Sequence, residues 1–321
     1  MIDENGNYLA NKSVIISISG VNYTRITDEK GKASIGINLN SGTYAPVVYF
    51  EGDGEFNSSK NSSMVIVKST IKANNLVKCY RNASQFYATI LDYNGNIVKN
   101  QVISFNINGV FYNRTTNENG VVKLNINLSP GEYIITTLNL VTGESSSNNI
   151  TVLSLIVENK NLVKYYRNAS QYCVKILDDQ GNPVGAGVTV RFNINGVFYE
   201  RQTNESGIVK LNINLNPGEY IITAEYKGCC VSNEITIKPI LTANDLTKRY
   251  GDSDQFVATL VDGQGKAYAG QYVEFNINGV FYKRLTGDNG QAKLNIRLMP
   301  GLYIITSSFG GFSTSNTVKI V

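Results

Sequence analysis

The chain has 321 residues, 42% of them hydrophobic and 17% charged, with 29 basic side chains against 25 acidic ones and neither histidine nor tryptophan. That length admits two to four domains of ordinary size, and a net charge of +4 is too small to point to nucleic acid. Without histidine there is no Ser-His-Asp or Cys-His nucleophile system and none of the usual zinc sites; no apolar run approaches the roughly 18 residues that cross a bilayer, and the first residues do not form a signal peptide.

In chain order, Asp3-Glu-Asn-Gly6 opens a divergent copy of a pattern that then recurs three times. Ile18-Ser-Gly-Val-Asn-Tyr23 and Ser34–Tyr44 are its weak first blocks. In the second copy, period-two alternation predicts strands near 75–80, 85–92, 101–107, 110–116, 121–128, 132–138 and 147–153. Asn108-Gly109, between Phe105-Asn-Ile107 and Val110-Phe-Tyr112, signals a two-residue hairpin. The block Phe105–Tyr112 returns as Phe192–Tyr199 and Phe275–Tyr282, and Lys123–Tyr133 returns as Lys210–Tyr220 and Lys293–Tyr303. Tyr133, Tyr220 and Tyr303 lie 87 and then 83 residues apart, a domain-sized period rather than that of a solenoid or propeller blade. Seven short strands per period, with no 3.6-residue periodicity, predict an all-β string of tandem immunoglobulin-like β-sandwiches.

The expected domains are 1–69, 70–153, 154–239 and 240–321. Because Asp3-Glu-Asn-Gly6 aligns with Asp92-Tyr-Asn-Gly95, the first should lack its first two strands and carry an open, fraying sheet edge. Ser69–Ala73, Ser154–Asn159 and Lys238–Ala243 read as short linkers without Gly/Ser enrichment, which favours a semi-rigid string.

The most informative position is a lysine in phase with the inward residues of the first strand: Lys78 between Leu76 and Tyr80, Lys164 between Leu162 and Tyr166, and Lys248 between Leu246 and Tyr250. An inward lysine is costly unless it is paired or neutral. On the last strand Asn148, Asn233 and Asn316 share that oddity, and Asp92, Asp178 and Asp262 are the acids present in all three copies in phase with an inward face. A neutral amine beside an amide polarised by an acid is the requirement for a spontaneous Lys–Asn isopeptide crosslink. The same residues equally admit a Lys–Asp ion pair with an Asn capping backbone groups near the sheet end.

Other signals carry less chemistry. Cys79, Cys173, Cys229 and Cys230 fall at unrelated places in the repeats, so no disulfide framework or metal site is expected. Asp3-x-Asn-Gly, Asp92-x-Asn-Gly and Asp178-x-Gln-Gly lack the remaining ligands of a calcium loop and read as turns. The period-two pattern assigns Val-Phe-Tyr at 110–112, 197–199 and 280–282 to the core rather than to a sugar platform. The tips that differ most among copies are 138–147, 225–231 and 308–314, which makes Asn139, Thr142, Glu144, Tyr226, Lys227, Phe309 and Phe312 candidate contact residues.

Asp245-Leu-Thr-Lys-Arg-Tyr250, Gln255-Phe256, Asp262-Gly-Gln-Gly265, Phe275–Tyr282 and Pro300-Gly-Leu-Tyr303 resemble the Ig-like repeats of adhesin-like surface proteins of methanogenic archaea. Phe50-Glu-Gly-Asp-Gly-Glu-Phe56 is similar to bacterial Ig-like group 3 modules. The resemblance spans about all of the chain. It implies secretion, tandem copies, display at the cell surface and no catalysis, and it assigns no cofactor. The function expected is a structural stalk that projects a binding region from the envelope. The alternative is an adhesive module whose variable loops contact a surface glycan or protein; neighbouring repeats are partners in either case, and no nucleic acid is.

Overall fold

The computed structural model describes residues 1–321, and every regular element in it is a β-strand. The third copy displays the plan. Strands Ile156–Val157, Gln171–Ile176 and Ile208–Asn212 form a three-stranded sheet. Opposite it lies a five-stranded sheet in the spatial order Leu162–Tyr165, Cys229–Lys238, Gly218–Tyr226, Thr189–Ile194, Val197–Gln202. The second and fourth copies repeat both sheets in the same order. All neighbours in the third and fourth copies are antiparallel except the first and last strands, which run parallel, Leu162 beside Ile235 and Leu246 beside Val318.

Alternation produces this. In Gln171–Ile176 the residues Tyr172, Val174 and Ile176 are buried and the intervening ones are not. They meet Phe192, Ile194, Ile222 and Ile235 from the facing sheet in one apolar cluster. Each such side chain contributes about 1.5–3 kcal/mol by leaving water. Tyr172 and Phe192 cross edge to face with centroids 6.0 Å apart; Phe86–Phe105 (5.8 Å) and Phe256–Phe275 (5.9 Å) repeat that geometry at near-right angles. Asn195 and Gly196 hold φ of 52° and 76°, the two positive values a tight hairpin requires. Tyr44, Tyr220 and Tyr303 each donate their hydroxyl to the carbonyl four residues upstream, at 2.7–2.8 Å. That is the tyrosine corner of immunoglobulin-like sandwiches.

The structure corrects two sequence readings. Residues read as linkers are partly strand: Ile71–Ala73, Ile156–Val157 and Leu241–Ala243 pair with the second long strand of their own copy. The second, third and fourth copies therefore have eight strands each, the first split between both sheets. Only Ser154 and Leu155 separate strands Ser145–Leu153 and Ile156–Val157, and only Pro239 and Ile240 separate Cys229–Lys238 and Leu241–Ala243.

The second correction concerns Val-Phe-Tyr. Phe111, Phe198 and Phe281 are 71%, 56% and 62% exposed. They sit on the outermost strand of the five-stranded sheet. A three-stranded sheet cannot cover five, so Val and Phe of this edge strand stay in water, while Tyr112, Tyr199 and Tyr282 are half-buried and the latter two pack on the core of their copy.

The chain divides into two compact units. Met1–Lys78, Ala83–Asn127 and Gly131–Thr151 form the first; Cys79–Asn82, Leu128–Pro130 and Val152–Val321 form the second. In the first unit, the divergent copy builds a sheet from Val21–Ile26, Ser13–Ile18, Val47–Phe50 and Ser59–Ser62, with Gly42–Tyr44 and Val65–Val67 paired separately. Pro46 and the absence of a long uninterrupted run split strands that are continuous elsewhere. Residues 33–38 alternate as 122–127 do, yet form no strand. Val121–Asn125 is held by Gln85–Ile90, whereas residues 33–38 pair with no strand.

Candidate functional site

Lys78, Lys164 and Lys248 are buried, at 6%, 4% and 5% exposure. Their strands place them inward, as their phase requires. Lys78 Nζ donates to the carbonyls of Ser84 (3.0 Å) and Ile126 (2.9 Å), and Lys164 Nζ to those of Ser170 and Ile213 (both 3.0 Å). Lys248 Nζ donates to Asp252 O (2.5 Å) and Asp254 O (2.8 Å). The lysine thus bolts the first strand to the turn that follows it and, in two copies, to the end of the Val121–Asn125 or Ile208–Asn212 strand. Burial pulls the amines of Lys78 and Lys164 below their ordinary value.

The asparagines are elsewhere. Lys164 stands opposite Ile237 in the parallel pair, and Asn233 precedes Ile237 by four residues, about 13 Å along the strand. Asn233 Oδ1 accepts from the Tyr172 hydroxyl at 2.6 Å and from Asn159 Nδ2 at 3.2 Å. Asn316 Nδ2 donates to Ala243 O (3.1 Å) and Asp245 Oδ1 (3.3 Å), and Asn148 Nδ2 makes long contacts with Ala73 O and Asn75 Oδ1. In those two copies Oδ1 is buried with no hydrogen-bond partner. The difference is one atom: position 172 is Tyr, whereas its counterparts Phe86 and Phe256 have no hydroxyl.

The acids stand apart again. Asp92 Oδ1 accepts from the amides of Asn94 and Asn96 at 2.8 and 2.9 Å; Asp178 does so from Gln180 and Asn182, and Asp262 from Gln264 and Lys266. These hydrogen bonds, led by the one from the fourth residue along, hold the Asp92 and Asp178 carboxyls below the usual range. Lysine, asparagine and aspartate therefore occupy three separate places in each copy. The structure brings together neither the amine–amide–acid group of a crosslink nor a Lys–Asp pair.

The variable tips are largely consumed inside the chain. In the first unit, Asn139 is fully buried and donates Nδ2 to Leu91 O and Thr70 Oγ1, both at 3.0 Å. Thr142 Oγ1 lies 2.9 Å from Thr70 Oγ1, and Glu144 Oε2 accepts from Thr70 N and Oγ1 at 2.6 Å. Burial pushes the Glu144 carboxyl up, but the hydrogen bonds from Thr70, Ser41 and Ser69 outweigh it and the net shift is downward. In the second unit, Tyr226 is a core residue and Lys227 beside it is exposed, its Nζ 5.2 Å from the Tyr226 ring centroid. Phe309 packs on Tyr268 (6.0 Å) and Phe312 on Tyr166 (5.7 Å).

Tyr268 and Phe309 both lie in the fourth copy, but Tyr166 belongs to the third and Phe312 to the fourth, so that pair forms a joint. The turn after Leu162–Tyr165 reaches the next copy: Asn168 Nδ2 donates to Gly263 O at 2.5 Å, and Arg167 stacks on Tyr166 while standing beside Gly310 and Gly311. The second copy's turn uses the same residues within the second unit. Asn82 Nδ2 donates to Asp179 O at 2.7 Å, and Arg81, stacked on Tyr80, stands beside Gly228.

Sequence reasoning missed this joint, although Tyr-Arg-Asn at 80–82 and 166–168 recurs visibly. It also missed a buried threonine. Thr27, Thr203 and Thr286 each donate to a carbonyl 18 residues upstream at 2.7 Å, and Thr116 lies in the corresponding place. Its signal is a Thr just ahead of the turn that closes with Gly31, Gly120, Gly207 or Gly290.

No protein-family model and no curated protein matches the chain. Solved structures do. The I9–I11 tandem of titin is 17% identical, with a TM-score of 0.30 over 78% of this chain and 99% of that one. A Ca2+-stabilized adhesin with which an Antarctic bacterium binds ice is 16% identical, with a TM-score of 0.20 over 98% and 91%. An S-layer protein is 14% identical, with a TM-score of 0.22 over 100% of this chain and 51% of that one. At these identities and TM-scores the likeness carries no ligand, role or activity across.

Proposed function

We propose that the chain is a spacer segment of a cell-surface adhesin-like protein, a stalk of Ig-like repeats that holds a distal binding region away from the envelope. One observation carries this reading: the tips most free to vary are engaged with the neighbouring repeat or the connector rather than held open for a ligand. Asn139, Thr142 and Glu144 close on Thr70, and Phe312 closes on Tyr166. Two-residue connectors such as Pro239-Ile240 add to it, because a short proline-containing joint limits bending. Contact of those tips with a surface glycan or protein is the competing reading, and among the seven candidate residues it retains chiefly Lys227.

Small-angle X-ray scattering of the chain tests the spacer reading. Four repeats of roughly 35–40 Å each, strand length plus end loops, give a maximum dimension of roughly 140–160 Å. A markedly shorter maximum, or a profile typical of freely jointed beads, contradicts it.

A further inference from the structure

Exposed positions should drift among copies, and on the outer face of the five-stranded sheet most do. One transverse row does not. In the third copy Phe198 lies opposite Asn193, Asn193 opposite Thr223 and Thr223 opposite Ser232. The fourth copy repeats it as Phe281, Asn276, Thr306 and Ser315. The second has Phe111, Asn106 and Thr136, with Ser147 bonded to Thr136 at 3.0 Å. Beside the row an exposed isoleucine recurs as Ile134, Ile221 and Ile304. The degree of exposure repeats as well: Phe and Ser open, Asn and Thr half-buried, in all three copies.

Local structure explains part of this. The Thr–Ser pair is a cross-strand hydrogen bond, and Asn276 also accepts from the Gly279 amide at 3.2 Å. Neither accounts for a phenylalanine kept on an edge strand in contact with water, and the Arg191 guanidinium that lies 3.9 Å from the Phe198 ring centroid has no equivalent in the other two copies, where Ser104 and Glu274 take its place. We propose that this row is a binding platform for a neutral polysaccharide, one short stretch of glycan per repeat. The phenyl ring offers a face for the C–H side of a pyranose, which in the third copy shares or displaces the Arg191 guanidinium stacked on Phe198, and the Asn amide and the Thr and Ser hydroxyls supply donors and acceptors for its hydroxyls. Four strands at about 4.8 Å spacing make the row about 14 Å long, suited to an oligosaccharide stretch rather than a single sugar.

Charge selects the ligand class. The row holds no ionisable group, while the flanking positions change sign: Ser104, Arg191 and Glu274 are equivalents, as are Asn113, Glu200 and Lys283. A charged ligand recognised by all three copies would meet attraction in one and repulsion in another; an uncharged one is indifferent. An identical row in three copies also suits a ligand that itself repeats, and weak sites in tandem gain by avidity. The platform lies on a sheet face, not on the tips, so it does not rest on the spacer reading.

The test is co-sedimentation of the full chain with insoluble cellulose, xylan, starch and mannan, beside the triple variants F111S/F198S/F281S and F111Y/F198Y/F281Y. Circular dichroism melts confirm that each variant is folded. Expected is salt-insensitive retention on at least one polysaccharide, lost at least tenfold in the serine variant and kept in the tyrosine variant. No retention on any of the four, or retention unchanged by the serine substitutions, overturns the proposal. So does concentration-dependent self-association of the parent chain that the serine variant abolishes, since the row would then be a contact between copies.

Discussion

Asn148, Asn233 and Asn316 occupy one position in three copies, and only Asn233 has its Oδ1 satisfied. Because the ring at 172 packs against its Phe partner as those at 86 and 256 do, a hydroxyl added to Phe256 should fall on Asn316 Oδ1. Phe256→Tyr is therefore expected to stabilise the fourth repeat by about 1 kcal/mol, read as a higher urea midpoint. Tyr172→Phe should cost about the same. Tyr172 also carries a pH signature. Burial pushes its phenol up to about 12, against about 10 in an unfolded chain. Below pH 10 both states hold the proton. Between pH 10 and 12 the unfolded state loses it first, so stability falls as pH rises, by up to about 3 kcal/mol. Subtracting the Tyr172→Phe profile from that of the parent should isolate this decline, and parallel alkaline profiles would contradict the assignment.

At the scale of the strand, the buried lysine acts as a bolt between backbone segments. Lys164 closes the first strand onto Ser170 O and Ile213 O. Lys164→Met keeps the stem and removes the donor, leaving two carbonyls short of a partner. It also relieves the cost of holding a charge in the interior. Charge-assisted hydrogen bonds contribute about 1.5–3 kcal/mol each, so a net loss of about 1–3 kcal/mol is expected, with no change in the intact mass of the parent from a lost ammonia.

The same elements show what the sequence disclosed and why it stopped. Alternation located nearly every strand of the second copy, because those strands bury one face against a partner sheet. It overstated burial at Val110–Thr115, where a barely covered edge strand half-buries Tyr112 and leaves the rest in water. It failed again at residues 33–38, whose alternation is intact but which pair with no strand. The inward lysines were legible from phase alone. Their carbonyl partners were not, since Ile126 lies 48 residues from Lys78 and backbone acceptors leave no mark in the sequence. The Lys–Asn–Asp grouping failed through register: sharing an inward phase does not put two residues at the same height along a parallel pair.

At the largest scale, the tips at 225–231 and 308–314 meet the turn after the preceding copy's first strand, and the tip at 138–147 meets the connector at Thr70. Variation among tips is therefore read as fitting each repeat to its neighbour: a Glu–Thr hydroxyl network at Thr70, aromatic packing at Tyr166. Removing Asn168 and Phe312 side chains together should leave each sandwich folded, because Asn168 is outside the cores and Phe312 packs only half-buried at the margin of the fourth copy's core, while freeing the joint between the third and fourth copies. The direct measurement is the distance distribution between spin labels on Thr189 and Tyr272 in a background without other reactive cysteines. A single narrow peak in the parent that broadens several-fold in Asn168→Ala/Phe312→Ala is the predicted result; a distribution already broad in the parent would contradict the spacer account.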